Sequence, residues 1–154
     1  MDKDKFMYFK KLLLIILLQI PIFGFAKPVF HDTQGNVIDF GNKWVVVNYW
    51  APWCGICFKE IPELNSYYQN NKASDVVFVG VNYDHLPKDK LKQAIQKMDI
   101  QFPVLLEDPK NIYGFGELEI LPTTFIINPK GKVAKTIIGP NTEESLNDAI
   151  NYLR

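Results

Sequence analysis

Trp44 to Trp50, reading Trp-Val-Val-Val-Asn-Tyr-Trp, is a nearly unbroken apolar run of strand length that passes through the short turn Ala51-Pro52-Trp53 into the chain's only two cysteines, Cys54 and Cys57. A run so rich in β-branched and aromatic residues, without polar alternation, reads as a central strand buried on both faces. Beyond the turn, Ile61, Leu64, Tyr67 and Tyr68 recur at helical spacing, which predicts a helix over about Cys54 to Asn70, kinked at Pro62. Val76 to Asn82 reads as a second buried strand, and Lys88 to Met98 as an amphipathic helix with Leu91, Ile95 and Met98 on one side. Strand, helix, strand, helix is the alternation of an α/β fold, and it places the cysteine pair at a strand-to-helix switch.

The remaining segments complete one domain. Lys27 to Phe40 reads as an edge hairpin or loop, Phe102 to Leu106 as a short apolar piece, and Asn111 to Phe115 as a helical turn. Thr123 to Asn128 and Lys132 to Gly139 are predicted strands joined through Asn128-Pro129-Lys130-Gly131, a strong hairpin signal. Asn141 followed by Glu144 predicts a capping box for a last helix over about Thr142 to Leu153. At 154 residues and 47% apolar composition the chain can bury one sizeable core. Its 17 basic and 17 acidic residues balance, with no basic run beyond the N-terminus, so a nucleic-acid partner is not expected.

The first 26 residues are a different material. Lys3, Lys5, Lys10 and Lys11 precede an apolar run from Leu12 through Ala26, with Gly24 and Ala26 at the positions before a cut. This is the anatomy of an export signal. Residues 1–26 are therefore expected to be a signal peptide cleaved after Ala26, the alternative being a retained membrane anchor over residues 12–26, and residues 27–154 the exported domain. No cysteine follows the apolar run, so a lipid-modified N-terminus is not expected. Removing this segment leaves 13 basic and 15 acidic residues. The lysines stay inside and the domain lies outside, at the periplasmic or extracytoplasmic face of the membrane.

A C-x-x-C pair can be a redox couple, part of a metal site or a structural staple. As a staple, a disulfide closing a four-residue loop stabilises by only about 1.9 kcal/mol, against about 4.7 for a 100-residue loop. A closed zinc site needs four ligands, and His31 and His85 are isolated and not spaced as a pair. Both arguments favour the redox couple, with no metal and no cofactor. A chaperone for copper or another metal, using the cysteines and a distant histidine, is the alternative from the binding class. A peroxide-reducing enzyme is disfavoured because there is no further cysteine.

Two stretches carry a family resemblance. Val47 to Cys54, with Pro62 beyond, and Leu121-Pro122-Thr123-Thr124-Phe125-Ile126-Ile127-Asn128-Pro129 resemble the active-site entry and the cis-proline loop of the TlpA/ResA-like thiol-disulfide oxidoreductases, membrane-associated proteins of thioredoxin fold that work outside the bacterial cytoplasm. Pro122 follows Cys57 by 65 positions, which leaves room for the strand-helix insertion of that group. The resemblance covers roughly Val29 to Arg154. It implies a central mixed β-sheet flanked by helices, with that insertion and an N-terminal hairpin. Asn48 stands where thioredoxins keep a buried aspartate and TlpA-like proteins commonly have asparagine. Ile56 departs from the proline that thioredoxins and many relatives carry between the cysteines.

By this resemblance Cys54, at a helix N-terminus that favours an anion, is the attacking thiolate and Cys57 the resolving thiol. Lowering a thiol pKa from about 8.5 to about 7 takes roughly 2 kcal/mol of thiolate stabilisation. A cis Pro122 would set the backbone of Leu121 beside Cys54 to pair with substrate, and Trp53 would offer a docking face, as would Trp50, although both tryptophans equally suit packing. Glu60 has two readings: a partly buried carboxylate of raised pKa that exchanges a proton with Cys57, or a solvated helix residue. His31 and His85 read as surface loop residues, and Lys59, Lys88, Lys90 and Lys92 as solvated helix positions. The expected activity is reduction of disulfides in exported proteins, apocytochrome c being the best-known substrate class of the group, with a membrane thiol-disulfide electron donor as second partner. Oxidation of exported proteins is the opposite direction of the same chemistry, and the sequence alone does not set the potential.

Overall fold

The computed structural model describes residues 28–154, so the expected signal segment lies outside the described residues. In chain order the elements are β1 (Phe30–His31), β2 (Val37–Ile38), β3 (Trp44–Trp50), α1 (Gly55–Asn71), β4 (Val76–Asn82), α2 (Lys88–Lys97), α3 (Lys110–Tyr113), β5 (Thr123–Ile127), β6 (Val133–Ile138) and α4 (Glu143–Leu153). β1 and β2 form a small antiparallel hairpin. The other strands make one mixed sheet in the order β4-β3-β5-β6, with β3 and β4 parallel and the remaining pairs antiparallel. No described helix is long and apolar enough to cross a membrane.

Every residue of β3 is buried, because both faces of the sheet are covered. The two-residue period sends Val46 and Trp50, with Phe78 of β4 and Ile126 of β5, to the face packed by Ile61 and Leu64 of α1, Leu91 of α2 and Leu146 of α4. Val45, Val47 and Tyr49 go to the other face, where Phe30, Phe40, Leu105 and Phe115 cover them. Asn48 is in phase with Val46 and Trp50, so an amide stands on the helix-covered face of an otherwise hydrophobic strand.

The expected insertion is α2 followed by the apolar piece Phe102 to Leu106. That piece is too short to be a strand of its own, yet it seals the outer edge of β4: Gly80 N–H donates to Pro103 O (2.8 Å) and Leu105 N–H to Gly80 O (2.9 Å). On its other side Leu106 N–H donates to His31 O (2.8 Å), so the hairpin is joined to the main sheet through it. The last helix differs in one detail from expectation. Its capping box is Thr142 with Ser145, not Asn141 with Glu144. Asn141 is unavailable as a cap because its backbone and its side chain are both committed to the interior.

Gly80 is required by close approach. A Cβ there would lie 2.8 Å from Phe102 Cε2 and 3.0 Å from Trp50 Nε1, both rings of the core. Gly80→Ala is expected to lower stability by about 1–3 kcal/mol in urea denaturation. Combining it with Phe102→Leu should recover part of that loss, and strictly additive losses would show that the ring is not the obstacle.

Candidate active site

β3 stops at Trp50 and the chain turns at once into α1, with Cys54 N–H donating to Ala51 O (3.1 Å). Cys54 is the N-cap of α1, at φ −79° and ψ 98°, and its Sγ accepts the Cys57 N–H at 3.1 Å. Here a sulfur occupies the place a serine or aspartate oxygen usually takes, facing donors the first turn leaves unpaired. As a thiolate that atom would sit at the positive end of the helix, which lowers a thiol pKa. The two cysteines are joined as a disulfide with S–S 2.04 Å. Cys54 keeps 7% of its surface and Cys57 none. The residue expected to attack, Cys54, is thus the one that keeps surface, and the residue expected to resolve, Cys57, has none.

The Leu121–Pro122 bond is cis. Pro122 is buried and its carbonyl accepts Gly139 N–H (2.9 Å), while Thr123 Oγ1 donates to Ile120 O (2.7 Å). Leu121 packs against the core cluster that includes both cysteines. The two tryptophans part company: Trp50 is wholly buried, and Trp53 is 66% exposed. Trp53 donates its indole N–H to the Asp84 carboxylate (2.9 and 3.1 Å) and meets Tyr83 edge to face at 6.4 Å. Ile56 and Phe58, which flank Cys57 in the chain, are exposed as well.

Glu60, one turn along α1 from Cys57, is buried, so it is not a solvated helix residue. Oε1 accepts from Asn48 Nδ2 of β3 (3.0 Å), and Oε2 accepts the backbone N–H of Asn141 (2.8 Å). The circuit closes through Thr124 of β5, directly opposite Asn48 in the sheet, whose Oγ1 accepts from Asn48 Nδ2 (3.0 Å) and Asn141 Nδ2 (3.1 Å). Burial pushes the Glu60 carboxyl from 4.5 up to about 7, and the two N–H donors hold it from rising further. Sequence reasoning assigned Thr124 no role and gave Asn141 the wrong one. The available signal was Thr124 alternating in phase with Ile126, a polar side chain on a buried face opposite another.

The histidines lie elsewhere. His31 Nδ1 bonds Glu107 Oε1 (2.8 Å), and His85 Nε2 stands 3.6 Å from Asp108 Oδ2. His31 is therefore a half-buried strand residue with an acidic partner and not a loop residue. Lys59, Lys88, Lys90 and Lys92 are exposed, as expected. Among the described residues no group of three or more His, Cys, Asp or Glu side chains is arranged to hold a metal ion.

A cysteine pair joined at a helix N-terminus, on a mixed sheet of thioredoxin type, defines a thiol-disulfide oxidoreductase of thioredoxin fold. The chain belongs to the AhpC/TSA family, whose profile matches residues 21–136. It is 34% identical over 129 residues to the thiol-disulfide oxidoreductase ResA of Bacillus subtilis, covering 82% of this chain and 72% of that one. It is 29% identical over 119 residues to the sporulation thiol-disulfide oxidoreductase A of the same organism, covering 75% and 72%. The crystal structure of StoA from Bacillus subtilis superposes with a TM-score of 0.65 at 27% identity, over 80% of this chain and 96% of that one. A thiol:disulfide interchange protein of Chlorobium tepidum TLS superposes with a TM-score of 0.67 at 22% identity, over 82% and 92%, a likeness of fold.

Glu60 also sets a pH dependence. Its native pKa lies above its unfolded one, so its contribution to stability is fully present below about pH 4.5 and is lost as pH rises through about 7. The span between those values corresponds to about 3 kcal/mol. Denaturation of the oxidised protein from about pH 5 to about pH 8 should show wild type losing up to that amount relative to Glu60→Gln. Parallel curves would mean that Glu60 does not ionise in this window.

Proposed function

We propose that this oxidoreductase reduces disulfides of exported proteins at the extracytoplasmic face of the membrane and is returned to the dithiol form by a membrane thiol-disulfide donor. The observation that carries the reading is the pairing of an N-capping Cys54 with a buried Glu60 behind Cys57. The Cys54 thiolate attacks one sulfur of the substrate disulfide, forming a mixed disulfide and releasing the other substrate sulfur as a thiolate. Cys57 passes its proton to the Glu60 carboxylate and attacks Cys54 Sγ, which releases the second substrate thiolate and leaves Cys54–Cys57 oxidised. The substrate gains the two electrons the cysteine pair loses, and the donor restores them.

Substrate docking falls to Leu121 and Trp53. Among the described residues the backbone N–H and C=O of Leu121 are unengaged, which suits pairing with an extended substrate segment next to Pro122. The exposed rim of Trp53, Ile56 and Phe58 supplies an apolar surface around it. The basic, apolar N-terminus supports export, by a cleaved signal or a retained anchor over residues 12–26. Apocytochrome c before haem attachment is the substrate class suggested by the TlpA/ResA-like resemblance.

Reduction is favoured over oxidation because strong oxidases of this fold carry a large helical insertion, and between β4 and β5 this chain has only α2 and the single turn α3. A metallochaperone would need a third ligand near the cysteines, and His31 and His85 are turned to Glu107 and Asp108 instead.

Equilibration of the protein in glutathione or dithiothreitol buffers tests the direction. A Cys54–Cys57 potential near or below that of thioredoxin, about −270 mV, is the expected result; one near −120 mV would make the protein an oxidase. The proton step is tested in the reduced protein: Glu60→Gln should move the Cys57 titration by about one pKa unit or more, and an unchanged thiol titration would remove Glu60 from the mechanism.

A further inference from the structure

The hydrogen-bond ring around Glu60 is complete for one protonation state only. Each protein group bonded to its carboxylate is a donor: Asn48 Nδ2 at Oε1 and the Asn141 backbone N–H at Oε2. Thr124 Oγ1 likewise receives two donors, from Asn48 and Asn141. Asn48 itself is wholly buried, and its Oδ1 has no hydrogen-bond partner. No cationic side chain among the described residues bonds Glu60. The groups around it are Asn48 from β3, Asn141 ahead of α4 and, through both, Thr124 from β5, with Cys57 one turn earlier on its own helix. Along these elements the charged neighbours lie outside the ring: Lys59, next to Glu60 on α1, is exposed, and Glu63 and Glu143 are tied to each other by Glu143 N–H to Glu63 Oε2 (3.1 Å).

A proton arriving on Glu60 must find an acceptor. At Oε2 it would meet the Asn141 N–H, a donor fixed in the main chain. At Oε1 it meets a primary amide, whose nitrogen and oxygen exchange places by a half-turn about χ2. After that turn Asn48 Oδ1 accepts Glu60 Oε1–H on one side and Thr124 Oγ1–H on the other. Asn141 still donates to Oε2 and to Thr124 Oγ1. The two bonds that Nδ2 donated are replaced by two that Oδ1 accepts, and Nδ2 takes the unpartnered place that Oδ1 held, so the bonds to Glu60 and Thr124 are kept in both states.

We propose that Asn48 is a positioning residue for the resolving step: its amide turns over as Glu60 gains and loses its proton, directing that proton to Oε1 and keeping the buried carboxyl bonded in both states. The proposal rests on the reading of Glu60 as the acceptor of the Cys57 proton. It accounts for an amide in the middle of β3, which can act as donor or acceptor; a leucine could be neither, and a second carboxylate would compete for the same proton.

The test uses the full oxidised protein, isotope-labelled, in which no thiol titrates. Above the midpoint of the Glu60 carboxyl ¹³C titration, the Asn48 side-chain amide protons should show NOEs to the Glu60 γ-methylene and to Thr124 Hβ. Below it those NOEs should disappear, with the same midpoint. Amide protons that keep these NOEs throughout, or a Glu60 carboxyl that does not titrate, would overturn the proposal. Asn48→Leu supplies a second readout. A turning amide serves both states, so its loss should move the Glu60 midpoint by less than about half a pKa unit, whereas loss of a fixed donor to the carboxylate should raise it by about one or more. An unchanged thiol titration in reduced Glu60→Gln would instead sink the proton-acceptor role and leave the amide measurement unaffected.

Discussion

A carboxyl group taken out of water must be given back the hydrogen bonds it leaves behind. Glu60 receives them from Asn48 of β3 and the chain entering α4, with Thr124 of β5 closing the circuit. These contacts bind the active-site helix to the centre of the sheet and to the last helix at one point, one turn from the disulfide. The register of β3 on β5, which places Asn48 opposite Thr124, is therefore a requirement of the site as well as of the sheet.

The same requirement explains the irregular start of α4. A capping side chain must turn outward to the first free N–H groups of its helix. Asn141 turns inward to Thr124, and its own N–H is spent on Glu60. The cap passes to Thr142, whose Oγ1 accepts Ser145 N–H at 3.1 Å while Ser145 Oγ accepts Thr142 N–H at 3.0 Å. Local helix chemistry and the buried ring are satisfied by adjacent residues.

What could be read from the sequence was what neighbouring residues decide. β3 and β4 have the bounds that their apolar runs predict, and the β5–β6 turn follows from Asn128, whose Oδ1 accepts the N–H groups of Lys130 and Lys132, together with Gly131 at φ +75°. The cysteine pair and the cis Leu121–Pro122 bond were legible as motifs. The burial of Glu60 was not, since its donors lie 12 and 81 positions away and only the assembled fold brings them together. Phe102 to Leu106 was equally opaque as an edge seal, because its partner is the backbone of Gly80, a residue without a side chain to signal the contact.

The unequal access of the two sulfurs has a kinetic meaning. Cys54 keeps a little surface, whereas Cys57 has none at all. In the exchange proposed above, burial of Cys57 works against a mixed disulfide on the inner sulfur. In that reading a substrate enters and leaves through Cys54, and burial orders the bond exchanges alongside any difference in thiol reactivity.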